Sequence, residues 1–213
     1  MKKWLISSAI SALALTSAAS ADIKIAHVYG KTGPFEAYAK QSHDGLMLGL
    51  EYATGGTMEI NGEKIVVIEK DTQLKPDNGK ALLEEAYGDD EVDLAVGPVS
   101  SGVALAMLPV AEEYEKLLIV EPAVADSITG ANYNRYIFRT GRNSSQDAVA
   151  NAIALAGEDV HIATLAQDYA FGRDGIAAFR EALEGQGQGI AHEEYCPLKT
   201  SNPRQRRAGR RSV

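Results

Sequence analysis

Two adjacent serines, Ser100 and Ser101, stand in the stretch AVGPVSSGVA (95–104), where an apolar run gives way to a helical pattern. Such hydroxyls can attack as nucleophiles, cap a helix or grip a ligand. The chain has no G-x-S-x-G elbow and no base placed by a recognisable local pattern, so a nucleophilic role is set aside. Gly30-Lys31-Thr32 resembles the end of a phosphate-binding loop, but the glycine that motif needs at position 25 is Ile25. No G-x-G-x-x-G follows the first strand, which counts against a dinucleotide site. His27, His43, His161 and His192 lack metal-ligand spacing and read as core or surface histidines. Cys196 is the one cysteine, and it reads as a packing residue. No catalytic residue, metal or cofactor is expected.

Binding remains. Ligands of open parallel sheets lie beyond the carboxyl ends of the strands, where loops meet helix N-termini. A helix start offers unpaired N–H groups and a partial positive charge that suit a carboxylate. Ser100 and Ser101 fall at such a place, with simple helix capping as the alternative. The next strand runs similarly into Glu121-Pro122-Ala123-Val124-Ala125.

The elements that must position these residues alternate in type. Strands are expected at 22–28, 58–60, 64–68, 92–96, 117–120 and 135–139, with helices at 37–53, 77–88 and 102–115. Asn61-Gly62 supplies the positive φ angles of a two-residue hairpin turn. A second run follows: helix 144–156, strand 160–165, helix 173–184 and strand 189–195. This order predicts an α/β fold with mostly parallel sheets and right-handed crossovers. Residues 139–143 divide the runs and are the expected hinge, giving a first lobe over 22–141 and a partial second lobe over 142–200. Arg142, beside the hinge, is either a bidentate carboxylate contact or an exposed arginine at the junction.

The ends differ from the body. Met1-Lys2-Lys3, an apolar stretch and Ala19-Ser20-Ala21 read as a secretory signal peptide over 1–21, cleaved before Asp22, which implies a periplasmic product. The formal charge is −8, but five arginines lie in 201–213 and two lysines in the leader. Residues 22–200 therefore carry 14 basic groups against 29 acidic ones, a body that should repel nucleic acid. The 201–213 tail is expected to be aberrant, the product of a frameshift or truncation after about residue 200. Strands 160–165 and 189–195 should then keep open edges and an exposed apolar face, and the chain should not close on a ligand.

Four stretches, ADIKIAHVYGKTGPFEAYAKQ, DLAVGPVSSGVALAMLPVAEEYEKLLIVEPAVADSITG, YIFRTGRNSSQDAVA and LAQDYAFGRDGIAAFREAL, together resemble the leucine/isoleucine/valine-binding type of periplasmic solute-binding protein. The resemblance covers about residues 22–199. It implies a two-lobed type I periplasmic-binding fold, nearly complete in the first lobe, that captures a small carboxylate and delivers it to the membrane permease of an ABC importer. It implies a monomer when intact, and no enzyme. By position it places Tyr38 over the ligand and Ser100 and Ser101 in the carboxylate-gripping loop, with Ser101 the main contact. Ala123 falls where a backbone carbonyl accepts an ammonium, and Phe171, with Tyr169 beside it, where the second lobe supplies an aromatic contact. Ala125 replaces a threonine common in the amino-acid binders. A branched-chain amino acid is the first expected ligand, and an aromatic acid such as a hydroxycinnamate the alternative. A ligand-sensing domain of a receptor or regulator is the alternative of another class.

Overall fold

The computed structural model describes residues 22–157 and 160–197. The leader and the 201–213 tail lie outside the described residues. Strand β1 (Ile23–Tyr29) leads into α1 (Glu36–Ala53) and then the hairpin β2 (Glu59–Ile60) and β3 (Glu63–Asp71). Asn61 and Gly62 turn that hairpin with φ of 53° and 86°, as their types predict. α2 (Pro76–Gly88) starts on a proline, whose missing N–H would be unpaired in a first turn anyway. β4 (Leu94–Val96), α3 (Ser101–Glu113), β5 (Leu117–Val120), a 3₁₀ turn (Asp126–Ile128) and β6 (Ile137–Arg139) complete the first unit.

These strands form one sheet in the order β2-β3-β1-β4-β5-β6, with β2 antiparallel and the other pairings parallel. The connection from β1 runs to one side and that from β3 crosses back to the other. The carboxyl ends of β1 and β4 therefore flank a topological switch point, where diverging loops open a crevice. Leu83 of α2, Met107 and Leu108 of α3, Leu118 and Ile137 are almost wholly buried and form the main core. On the opposite side, Ile25, Ile65 and Val96 form a smaller cluster under Leu46 and Leu50 of α1.

The second unit is α4 (Ser144–Leu155), β7 (Ile162–Gln167), α5 (Ala170–Glu184) and β8 (Ile190–Cys196), with β7 and β8 parallel. α4 opens on a capping box in which Asn143 accepts from the Gln146 N–H and the Gln146 side chain accepts from the Asn143 N–H, both at 3.0 Å. Its core is small: Ala152, Ile162 and Leu183, with Phe179 and Ile190 beside them. Ile153 of α4 and Leu165 of β7 are 60% and 68% exposed.

Several boundaries differ from expectation, among them β3, which runs on to Asp71, and β7, which lies at Ile162–Gln167. β4 contracts to Leu94–Val96. β6 begins at Ile137 because Asn134 accepts the Tyr136 N–H and holds the preceding residues in a turn. α5 starts at Ala170, three residues earlier than the pattern suggested, so Phe171 and Gly172 belong to its first turn. A Cβ on Gly172 would lie 2.0 Å from the Gln167 carbonyl oxygen, so this tight strand-to-helix entry requires glycine.

Candidate functional site

The loop after β1, the loop after β4, the loop after β5 and the turn from β7 into α5 converge on one cleft of about 430 Å³. Phe35, Tyr38, Val99, Ser101, Pro122 and Val124 line it from the first unit, Gln167, Tyr169 and Phe171 from the second, and Arg142 at the junction. The switch point is closely built: a Cβ on Gly97 would sit 2.1 Å from the Val28 carbonyl oxygen, and Gly97 has φ of 122°. Only glycine lets the chain leave β4 across the end of β1.

The serines divide their roles. Ser100 occupies the N-cap position of α3, yet its side chain makes no capping hydrogen bond. It is buried and does not line the cleft. Ser101 is the first helical residue, and its Oγ accepts the Ala125 N–H at 3.2 Å from the loop after β5. A hydroxyl has one hydrogen and two acceptor lone pairs. Accepting from Ala125 leaves the Ser101 hydrogen free to be donated into the cleft, beside first-turn amides of α3 that have no intrahelical partner.

The loop after β5 is fixed from several directions. The Ala123 N–H donates to the Pro98 carbonyl at 3.3 Å. The Ser144 N–H and hydroxyl donate to the Val124 carbonyl at 2.8 and 3.1 Å. Asp126 accepts from the Ser145 N–H and hydroxyl. Ala123, like Ser100, is not part of the lining, to which its neighbours Pro122 and Val124 contribute.

Aromatic rings face the cleft from both units. Tyr38 is 66% exposed and meets Phe35 edge-on at 6.4 Å between centroids. Tyr169 and Phe171 are 6.0 Å apart and tilted by 41°. Burial pushes the Tyr169 hydroxyl up to about 12, so it stays protonated as a donor at neutral pH. Arg142 lines the cleft while its Nε donates to both carboxylate oxygens of Asp147, at 2.8 and 2.7 Å. It is thus a cleft residue and an exposed junction arginine at once. Among the described residues, the lining holds this one cation and no carboxylate.

The structure therefore brings Tyr38, Ser101, Arg142, Tyr169 and Phe171 together in the lining, which does not include Ser100 or Ala123. Phe35, Val99, Pro122, Val124 and Gln167 were missed. Val99, Pro122 and Val124 each adjoin a residue already singled out, and Phe35 and Gln167 lie within three residues of Tyr38 and Tyr169, which was the available signal. Among the described residues, no cluster of three or more histidine, cysteine or acidic side chains could hold a metal ion. None of their helices is long and apolar enough to cross a membrane.

Two α/β units, with a cleft lined by strand ends of both, describe the architecture. The chain belongs to the periplasmic binding protein family, whose model matches residues 22–205. It is 30% identical over 188 residues to the Leu/Ile/Val-binding protein BraC3 of Rhizobium johnstonii, covering 87% of this chain and 50% of that one. A solved ABC-type branched-chain amino acid transporter structure from Rhodopseudomonas palustris CGA009 is 67% identical, with a TM-score of 0.68, over 84% of this chain and 48% of that chain. A solute-binding protein of an ABC transporter from Rhodopseudomonas palustris BisB5, solved with 3,4-dihydroxybenzoic acid, is 30% identical, with a TM-score of 0.77 over 89% of this chain and 52% of that one. The chain spans about half the length of the curated relatives it matches.

Proposed function

We propose that the protein is the periplasmic solute-binding component of an ABC importer, that its cleft takes a small carboxylate carrying an apolar group, and that it hands this ligand to a membrane permease as a monomer. The observation that carries this reading is the polarity of the cleft: one arginine, no carboxylate, and a serine hydrogen with no protein acceptor at a helix N-terminus. A carboxylate placed there would accept from Ser101 and the first-turn amides of α3, with Arg142 supplying charge. Its apolar part would rest against Tyr38, Phe35, Val99 and Phe171.

A branched-chain amino acid is the first ligand of this kind. The relatives named for leucine, isoleucine and valine support it. The aromatic-acid reading is favoured by the four rings around the cleft, which suit a flat ligand, and by Ala125 standing where the amino-acid binders commonly carry a threonine. The relative solved with 3,4-dihydroxybenzoic acid supports that second reading.

Calorimetric titration of the full-length protein with leucine, 4-hydroxybenzoate and p-coumarate separates the two. Saturable binding of leucine alone supports the first reading, and binding of the aromatic acids alone replaces it with the second. Chemical turnover of any of the three would overturn the class.

A further inference from the structure

Arg139 ends β6 just before the crossover into the second unit, and it is half-buried. Among the described residues, no carboxylate stands within ion-pair distance of it. The acid that acts on it electrostatically is Asp126, whose oxygens are taken by Ser145. A guanidinium withdrawn from water loses hydration unless its donors find acceptors. Here two of them do: Nη1 donates to the Ala125 carbonyl at 2.8 Å and Nη2 to the Thr129 hydroxyl at 2.5 Å.

Ala125 is therefore held from both sides, by Arg139 at its carbonyl and by Ser101 at its N–H. The second contact fixes how Ser101 can use its hydroxyl. Rotating the hydroxyl away would leave the buried Ala125 amide without an acceptor, which is costly. We infer that Arg139 is a positioning residue of the cleft: by pinning Ala125 it locks the Ser101 hydroxyl with its hydrogen aimed at the ligand carboxylate. Arg139 does not line the cleft. This role rests on reading the cleft as a carboxylate site.

The test is a double-mutant cycle on the full-length protein with Arg139→Met, Ser101→Ala and the pair, plus Arg139→Lys. Leucine and 4-hydroxybenzoate are titrated by calorimetry. Arg139→Met is expected to weaken binding about tenfold or more in the wild-type background and to cost nothing further once Ser101 is alanine. Arg139→Lys, which keeps the charge and one reachable donor, should recover part of the loss. A purely structural arginine would give the same loss in both backgrounds, and that result overturns the inference.

A second readout needs no ligand. Amide exchange at Ala125, followed by NMR, should accelerate in Arg139→Met while the β5 and β6 amides keep their protection. Unchanged Ala125 protection in the folded variant would also overturn the inference. If the wild-type protein binds neither acid while Ala125 still responds to Arg139, the carboxylate reading falls and the hold of Arg139 on Ala125 stands.

Discussion

His27 lies on the central strand with no exposed surface, its ring stacked on Tyr29 at 4.0 Å and its Nδ1 3.1 Å from Nδ1 of His43. Two facing Nδ1 atoms can share one hydrogen, and a second proton would set N–H against N–H. The His27 Nε2 is buried without a partner. Burial, and then the charge on His43, push His27 down from 6.5 to about 4, against a smaller upward pull from Glu69. The folded state thus refuses a proton that the unfolded chain accepts. Stability is intact above about pH 6.5 and falls as pH drops towards 4. At about 1.36 kcal/mol per pH unit, the whole window caps the loss at roughly 3 kcal/mol, of which roughly 2 kcal/mol is gone by pH 5. Glu69, held low by hydrogen bonds from Tyr29 and Lys31, loses its contribution only below its ordinary value of 4.5. Of these two groups, His27 is the one that acts between 6.5 and 4.5. Urea unfolding at pH 7, 6 and 5, followed by far-UV circular dichroism, measures it against His27→Phe, which keeps a ring against Tyr29 but cannot titrate. The wild type should lose roughly 2 kcal/mol between pH 7 and 5 while the variant stays flat. Equal slopes in both proteins would refute the reasoning.

Ser101→Ala should weaken carboxylate binding by roughly 1–3 kcal/mol in calorimetry, whereas Ser100→Ala, outside the lining of the cleft, should leave affinity within about twofold. Equal losses in the two would mean that the serines do not divide their roles as described. Gly97→Ala should cost roughly 2–4 kcal/mol in urea unfolding, since the new Cβ meets the Val28 carbonyl at a backbone angle that glycine alone adopts freely. Leu83→Ala, emptying a fully buried position between α2 and the sheet, should cost roughly 2–5 kcal/mol. A loss under about 1 kcal/mol would place that residue outside the main core.

The local grammar of the chain was legible where short-range chemistry decides it. Asn61-Gly62 announced a hairpin turn, and the break from Leu94-Ala95-Val96 to Ser100-Ser101 announced a strand, a loop and a helix start. The capping box Asn143…Gln146 was also written in the sequence and went unread. What chain order could not supply was the meeting of distant segments. Gln167 stands at the end of β7, and only the approach of the two units makes it face Val99 and Ser101. The early start of α5 depends on Gly172 tolerating the Gln167 carbonyl, a contact invisible to periodicity. His27 and His43, 16 residues apart, looked unrelated until α1 packed on β1 and set their rings 5.3 Å apart. Ser100 and Ala123 were placed in the right loops, but neither contributes to the lining of the cleft.

The central claim is that one ligand engages strand ends of both units at once. Hydrogen exchange of the full-length protein, with and without saturating leucine or 4-hydroxybenzoate and resolved by peptide, measures this directly. Added protection should arise together in residues 98–102 and 122–125 of the first unit and 167–171 of the second, around Ser101, Val124 and Phe171. Protection confined to one unit, or lying elsewhere on the surface, would contradict the account.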